Sequence, residues 1–108
     1  MALTDKKCVP CEGGVLPFTN EQAQEYLGQL QGEWEVEDGK KIKRRFRFKD
    51  FKEALAFVNK VGEIAETEVH HPDITINYNK VTIELMTHSI GGLSENDFIL
   101  AAKIEKMQ

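Results

Sequence analysis

Histidine has an ordinary pKa of about 6.5, so it is the side chain that gives or takes a proton near neutral pH with least tuning. All three histidines of this chain, His70, His71 and His88, fall in one stretch from Glu66 to Asp97, ETEVHHPDITINYNKVTIELMTHSIGGLSEND. A carboxylate stands at each end of it. Two histidines in opposite protonation states suit general acid-base catalysis, in which one group protonates a leaving group while the other removes a proton. Glu66 and His70 are four apart at the end of a helical pattern and are expected on one face. His71 precedes Pro72, which pushes it out of the α conformation, so the two adjacent imidazoles are expected to diverge. His88 follows a strand-like run, Val81 to Thr87. Hairpin pairing of that run with Ile74 to Tyr78 returns His88 towards the other two, and one compact cleft then holds all three.

The flanking elements follow from periodicity. Thr19 caps a first helix, with Gln22 reaching back in a capping box and Ala23, Tyr26, Leu27 and Leu30 as its apolar stripe; Gly32 marks its stop. Tyr26 is read as a packing residue. A hairpin follows from about Glu33 to Phe48. A two-residue loop at Asp38-Gly39 sets Trp34 and Val36 against lysines and fails. A three-residue loop, Glu37-Asp38-Gly39, gathers Trp34, Val36, Ile42, Phe46 and Phe48 on one face and sets Glu35 opposite Lys41 and Glu33 opposite Lys43.

Asp50, with Glu53, caps a second helix whose apolar positions, Phe51, Ala54, Leu55, Val58, Val61 and Ala65, are widened by Phe57 and Ile64. A helix so broadly apolar is either deeply buried or shared with another subunit. It ends near Val69, placing His70 at its C-terminus. Ile74, Ile76 and Tyr78, then Val81, Ile83 and Leu85, alternate with polar residues and read as a second hairpin of half-buried strands. His88 has the parity of Thr82, Glu84 and Met86, away from the apolar row. Ser94 and Asp97 make a capping box for a last helix carrying Phe98, Ile99 and Ala102. The order α-β-β-α-β-β-α predicts an α+β fold, a four-stranded antiparallel sheet with three helices on one face.

The 108 residues fit one domain, taken as 19–108 after a mobile leader, 1–18. A hydrophobic fraction of 41% and a charged fraction of 30% exclude disorder, and a net charge of −4 argues against general nucleic-acid binding. Seven of the fourteen basic residues lie between Lys40 and Lys49, but glutamates opposite two of them partly cancel the patch, and Lys and Arg on an exposed strand resist edge-to-edge association. Arg44 differs, since its parity puts it with Ile42 and Phe46, where it is expected to meet a buried acid or an anionic partner. No apolar run approaches the roughly 18 residues of a membrane span, and MALTDKKCVPCEGG lacks the apolar segment of a signal peptide. A cytoplasmic protein is expected. Cys8 and Cys11 form a CxxC pair in the leader, half of a zinc site at most, and are read as two reduced thiols.

The spacing Glu66, three residues, His70-His71-Pro72, five residues, Tyr78, nine residues, His88, eight residues, Asp97 resembles the pterin-4a-carbinolamine dehydratase family, without departure at these positions. The resemblance runs from about Thr19 to the C-terminus. It implies a lyase that dehydrates 4a-hydroxytetrahydropterin to quinonoid dihydropterin in tetrahydropterin recycling, with His70 and His88 as acid-base residues, His71 orienting the pterin, and Glu66 and Asp97 in support. It implies no cofactor, because nothing is oxidised, no metal, a homodimer or homotetramer, and a functional link to an aromatic amino acid hydroxylase. A second reading, also from the resemblance, is a protein-binding module serving as a transcription-factor dimerisation cofactor. A third, a metal site at Glu66, His70, His71 and His88, ranks last, because adjacent histidines diverging at a proline chelate poorly.

Overall fold

A computed structural model describes residues 3–8 and 16–107. Helix α1 spans Asn20–Leu27, strand β1 Glu35–Glu37, β2 Lys41–Arg47, helix α2 Phe51–Glu68, β3 Asp73–Asn77, β4 Lys80–Leu85 and α3 Glu95–Lys106. The strands form one antiparallel sheet in the order β1-β2-β4-β3, so the two hairpins lie side by side with β2 and β4 at the centre. The expected α+β architecture is what forms.

Period-2 patterning decides the two faces of the sheet. Ile42 opposes Leu85, and Phe46 opposes Val81; these four and Ile83 are buried. The alternate positions, Lys43 opposite Glu84 and Arg45 opposite Thr82, stay on the polar face. Helix α2 sets Ala54, Phe57, Val61 and Ala65, at helical spacing, onto the apolar side, with Phe57 at 4.7 Å ring separation from Phe46. Its outer stripe is not covered, and Phe51 is 47% and Leu55 40% exposed. Helix α3, rather than α2, is the deepest element: Phe98, Ile99, Leu100, Ala101, Ala102 and Ile104 are all buried, and the aromatic rings of Phe18 and Tyr26 close over Phe98.

The first hairpin keeps the expected faces but not the expected register. Glu35 opposes Lys43 and Glu37 opposes Lys41, because the loop is Asp38-Gly39-Lys40, with both Asp38 and Gly39 in the left-handed region at φ 55 and 68°. The shift is two residues between opposed positions, so parity survives while the charge pairs change. Helix α1 also ends earlier than expected, at Leu27, with Gly28 as its cap. Gly32 has a different task. A Cβ there would clash with the Arg44 guanidinium and lie 2.7 Å from Glu105 Oε1, and the Gly32 N–H donates to that oxygen at 2.6 Å. Glu105 is the acid that Arg44 meets, at 3.7 Å, with the guanidinium also 4.3 Å above the Phe46 ring.

Residues 3–8, the described part of the expected leader, lie against the domain. Leu3 is buried in the core against α3, the Lys6 ammonium meets Glu95 Oε2 at 2.7 Å, and the Cys8 N–H donates to Glu68 Oε1 at 2.8 Å. A single inserted leucine and two charge-assisted bonds hold this segment down. Cys11 and the idea of a CxxC pair lie outside the described residues.

Candidate active site

Helix α2 delivers the first two histidines through an unusual cap. Val69, at φ 54 and ψ 42°, stands in the left-handed conformation that normally calls for glycine, and the next amide, His70 N–H, donates back to Ala65 C=O at 3.1 Å. This six-to-one bond is the signature of a Schellman turn. A β-branched residue in that region is strained. The turn rotates His70 off the helix face, and the i to i+4 relation expected between Glu66 and His70 is therefore lost. Glu66 pairs instead with His71, its Oε1 lying 2.7 Å from His71 Nε2, at a place where both side chains are more than half exposed.

His70 turns inward. Its Nε2 lies 2.6 Å from Asp97 Oδ1, with the imidazole side chain 12% exposed and the carboxylate fully buried. The two neighbouring imidazoles thus take different partners on different sides of the chain, as the proline at position 72 requires.

Asp97 occupies the first turn of α3 and uses both oxygens. Oδ2 accepts the Ser94 N–H at 3.0 Å, the reach-back half of the capping box, and also the Thr87 hydroxyl at 3.0 Å. Oδ1 is left for His70. A carboxylate only accepts, so Nε2 of His70 must carry the proton of that bond. Nδ1 is then the nitrogen free to exchange a proton with a bound molecule.

His88 begins a 3₁₀ turn, His88–Ile90, just past the end of β4, and its side chain is exposed. Thr87 ties it to the rest: the Thr87 hydroxyl is on Asp97, and its carbonyl accepts the Ile90 N–H at 3.2 Å. The turn carrying His88 is therefore anchored to the carboxylate that holds His70. Sequence reasoning passed over Thr87, although it has the inward parity of Val81, Ile83 and Leu85, and a hydroxyl in that row needs a partner. Tyr78, part of the same sequence pattern, sits elsewhere. It is at the tip of the β3–β4 hairpin, the opposite end of β4 from His88, exposed and at φ 54°.

Cys8 flanks the site from the leader. Its thiol, 3.5 Å from the Asn96 carbonyl, is pushed up to about 12, first by burial and then by the neighbouring Glu68 carboxylate. Glu68 itself also holds the Lys103 ammonium at 2.7 Å. Burial alone would raise the Glu68 carboxyl, but the bonds from Lys103 and the Cys8 N–H outweigh it and hold it below the usual range. Among the described residues, no three His, Cys, Asp or Glu side chains converge to hold a metal ion.

Known proteins give this arrangement its context. The family profile described as Pterin 4 alpha carbinolamine dehydratase matches residues 16–107. A protein of Halorhodospira halophila, provisionally named pterin-4-alpha-carbinolamine dehydratase, is 52% identical over 108 residues, covering 99% of this chain and 98% of its own length. One from Alkaliphilus metalliredigens with the same provisional name is 47% identical, covering 98% and 96%. A Brucella melitensis crystal structure, described as a transcriptional coactivator/pterin dehydratase, superposes with a TM-score of 0.78 at 37% identity, over 84% of this chain and 97% of that one. A pterin dehydratase-like RuBisCO assembly factor of the alpha-carboxysome shares the fold, with a TM-score of 0.61 at 20% identity. With a profile spanning the sheet, all three helices and every residue of the His70–Asp97–Thr87–His88 arrangement, the chain belongs to the pterin 4 alpha carbinolamine dehydratase family, a family of hydro-lyases.

Proposed function

We propose that this protein dehydrates 4a-hydroxytetrahydropterin to quinonoid dihydropterin, as a step in recycling tetrahydropterin. The observation that carries the reading is the buried His70–Asp97 pair at 2.6 Å, with the His88 turn anchored to the same carboxylate. A carbinolamine bears a hydroxyl and an amine nitrogen on one carbon. Its dehydration breaks the C–O bond, releases the hydroxyl as water with one added proton, and forms a C=N bond as the nitrogen loses its own proton. One histidine gives a proton and the other takes one, so nothing is oxidised and no cofactor is required. His70, fixed through Nε2, works through Nδ1; His88 supplies the opposite function from the exposed turn. General acid-base assistance of this kind contributes about 10²–10⁴-fold. His71, with Glu66 as its partner, orients the pterin rather than moving protons.

The same reading makes the protein a cytoplasmic homodimer or homotetramer serving an aromatic amino acid hydroxylase, whose product is the carbinolamine. The uncovered stripe of α2, with Phe51 and Leu55, supports association, and a monomer mass by light scattering at micromolar concentration would refute it. No helix among the described residues is long and apolar enough to cross a membrane.

The deciding experiment is a stopped assay with chemically made carbinolamine. His70→Ala and His88→Ala should each lower turnover by orders of magnitude, with little change in Tm at the exposed His88 and a lower Tm at His70, whose loss leaves the buried Asp97 Oδ1 unpaired. Near-normal turnover in both sinks the acid-base roles. The Brucella relative is described as a transcriptional coactivator as well as a pterin dehydratase, which favours a second reading, a protein-binding module; as a dimerisation cofactor of a transcription factor it would tolerate both substitutions and be sensitive on an exposed helix face.

A further inference from the structure

We infer that Thr87 is a positioning residue that sets the orientation and tautomer of His70 through Asp97 and links His70 mechanically to the turn bearing His88. The inference rests on the dehydratase reading for its activity arm only. Thr87 is 4% exposed and sits two residues past the end of β4, with the parity of Leu85. It has one hydroxyl proton, and that proton goes to Asp97 Oδ2 at 3.0 Å. The 2.7 Å contact between the Thr87 and Ser94 hydroxyls is then donated by Ser94. The chain of bonds runs Ser94 to Thr87 to Asp97 to His70, and each link fixes the direction of the next.

Thr87 also fixes the backbone on the other side. Its N–H donates to the Gly92 carbonyl at 2.8 Å, and its own carbonyl accepts from Ile90 and from Gly92 at 3.2 and 3.4 Å. These bonds close the loop that begins with His88, so one buried residue holds both arms of the site. Asp97 could be retained by Ser94 N–H alone as a helix cap. What the Thr87 hydroxyl adds is a second donor on Oδ2, which prevents the carboxylate from rotating and keeps Oδ1 on the imidazole. A packing threonine would need no such alignment.

The test compares Thr87→Val, which keeps shape and removes the hydroxyl, with Thr87→Ser, which keeps it. Nitrogen–proton imidazole spectra of the free protein report which ring nitrogen of His70 carries the proton. We expect the valine variant to show a mixture of His70 tautomers and a kcat lowered by about 10–100-fold, the loss seen when partners orienting metal-bound histidines are removed, with KM changed by less than about twofold. The serine variant should restore both. If the valine variant does not fold, Thr87→Cys, with a weaker donor in similar volume, takes its place and should show the same two changes. A folded hydroxyl-free variant with a native His70 spectrum and native kcat overturns the proposal. Should the wild-type protein leave the carbinolamine unturned, the dehydratase reading fails, while the imidazole spectra still decide the role of Thr87.

Discussion

Asp97 divides its carboxylate between two partners: Oδ1 lies 2.6 Å from His70 Nε2, and Oδ2 accepts the cap amide of Ser94 at 3.0 Å. The first turn of α3 is thereby rigidly referenced to an imidazole contributed by the far end of α2. Substitution by asparagine separates the two tasks. Ser94 N–H and the Thr87 hydroxyl both require an oxygen, so the amide nitrogen of Asn must face His70, where it can only donate. His70 then has to present an unprotonated Nε2, and its proton moves to Nδ1, the nitrogen through which His70 works in the proposed acid-base mechanism. Asp97→Asn should therefore lower kcat by about 10²–10⁴-fold while the fold is kept. Asp97→Ala additionally strands two buried donors and should cost about 1–3 kcal/mol of stability by denaturant titration. An Asn variant with native turnover would show that the tautomer does not matter.

The pair His71–Glu66 predicts the opposite balance. With side chains 58% and 79% exposed, a surface contact of this kind contributes only about 0–1 kcal/mol, so Glu66→Gln should leave Tm almost unchanged. If His71 orients the pterin, His71→Ala raises KM more than it lowers kcat. Steady-state kinetics on the carbinolamine, run at two salt concentrations, separate the two effects; a fall in kcat at constant KM would instead place His71 among the proton-transfer groups.

Val69 stores strain beside the site. A non-glycine residue in the left-handed region costs about 1–2 kcal/mol, and Val69 is 79% exposed, so replacing it removes little burial. Val69→Gly should relieve that strain, partly offset by the larger entropy of the unfolded glycine chain. The expected net is a gain of up to about 1 kcal/mol in stability. The same freedom should loosen the Schellman turn that aims His70, with a lower kcat and faster amide exchange at His70 and His71. A variant that is less stable than the parent would mean that the valine side chain makes contacts that outweigh its strain.

Much of the fold was legible because parity and helical period report burial directly: Ile42, Phe46, Val81, Ile83 and Leu85 alternate in sequence and lie together on one face. The first hairpin register was not, since the choice between two loops of equal parity turned on Asp38 adopting φ 55°, which an aspartate does only in some turns. The candidate residues could be picked out of the sequence, but their pairing could not. Helical spacing assigned Glu66 to His70, and the left-handed Val69 reassigned it to His71; no propensity favours a β-branched residue there. Asp97 was readable as a cap, whereas its second oxygen depends on how α2 and α3 pack. The depth of α3 was hidden for a similar reason, because a helix appears amphipathic or fully apolar only once its neighbours are known, here Leu3 on one side and α2 on the other.

The docking of residues 3–8 should depend on pH in a defined window. It is held by Glu68, which accepts the Cys8 N–H, and by Glu95, which takes the Lys6 ammonium at 2.7 Å and the Tyr26 hydroxyl at 2.9 Å. The bond from Lys6 holds the Glu95 carboxyl below its usual range, partly against burial and with help from Tyr26, and Glu68 is lowered as well. A carboxylate lowered in the folded state contributes stability that is complete above its unfolded pKa, about 4.3, and is lost as pH falls through the lowered values. At the alkaline end the sign reverses: Lys6 is raised by its bond to Glu95, so its share persists to about pH 10.4 and fades above. Amide protection at residues 3–8, taken relative to the intrinsic exchange rate at each pH, should accordingly stay flat from about pH 5 to 9 and fall below about pH 4, with the core still protected. Cys8 gives a second readout. With its thiol pushed up to about 12 by burial, alkylation at pH 8 in a Cys11→Ser background should be on the order of 10²–10³-fold slower than in the unfolded chain. Protection that fades between pH 5 and 7, or a Cys8 that alkylates at the rate of a free thiol, would mean that this segment is not held by Glu68 and Glu95.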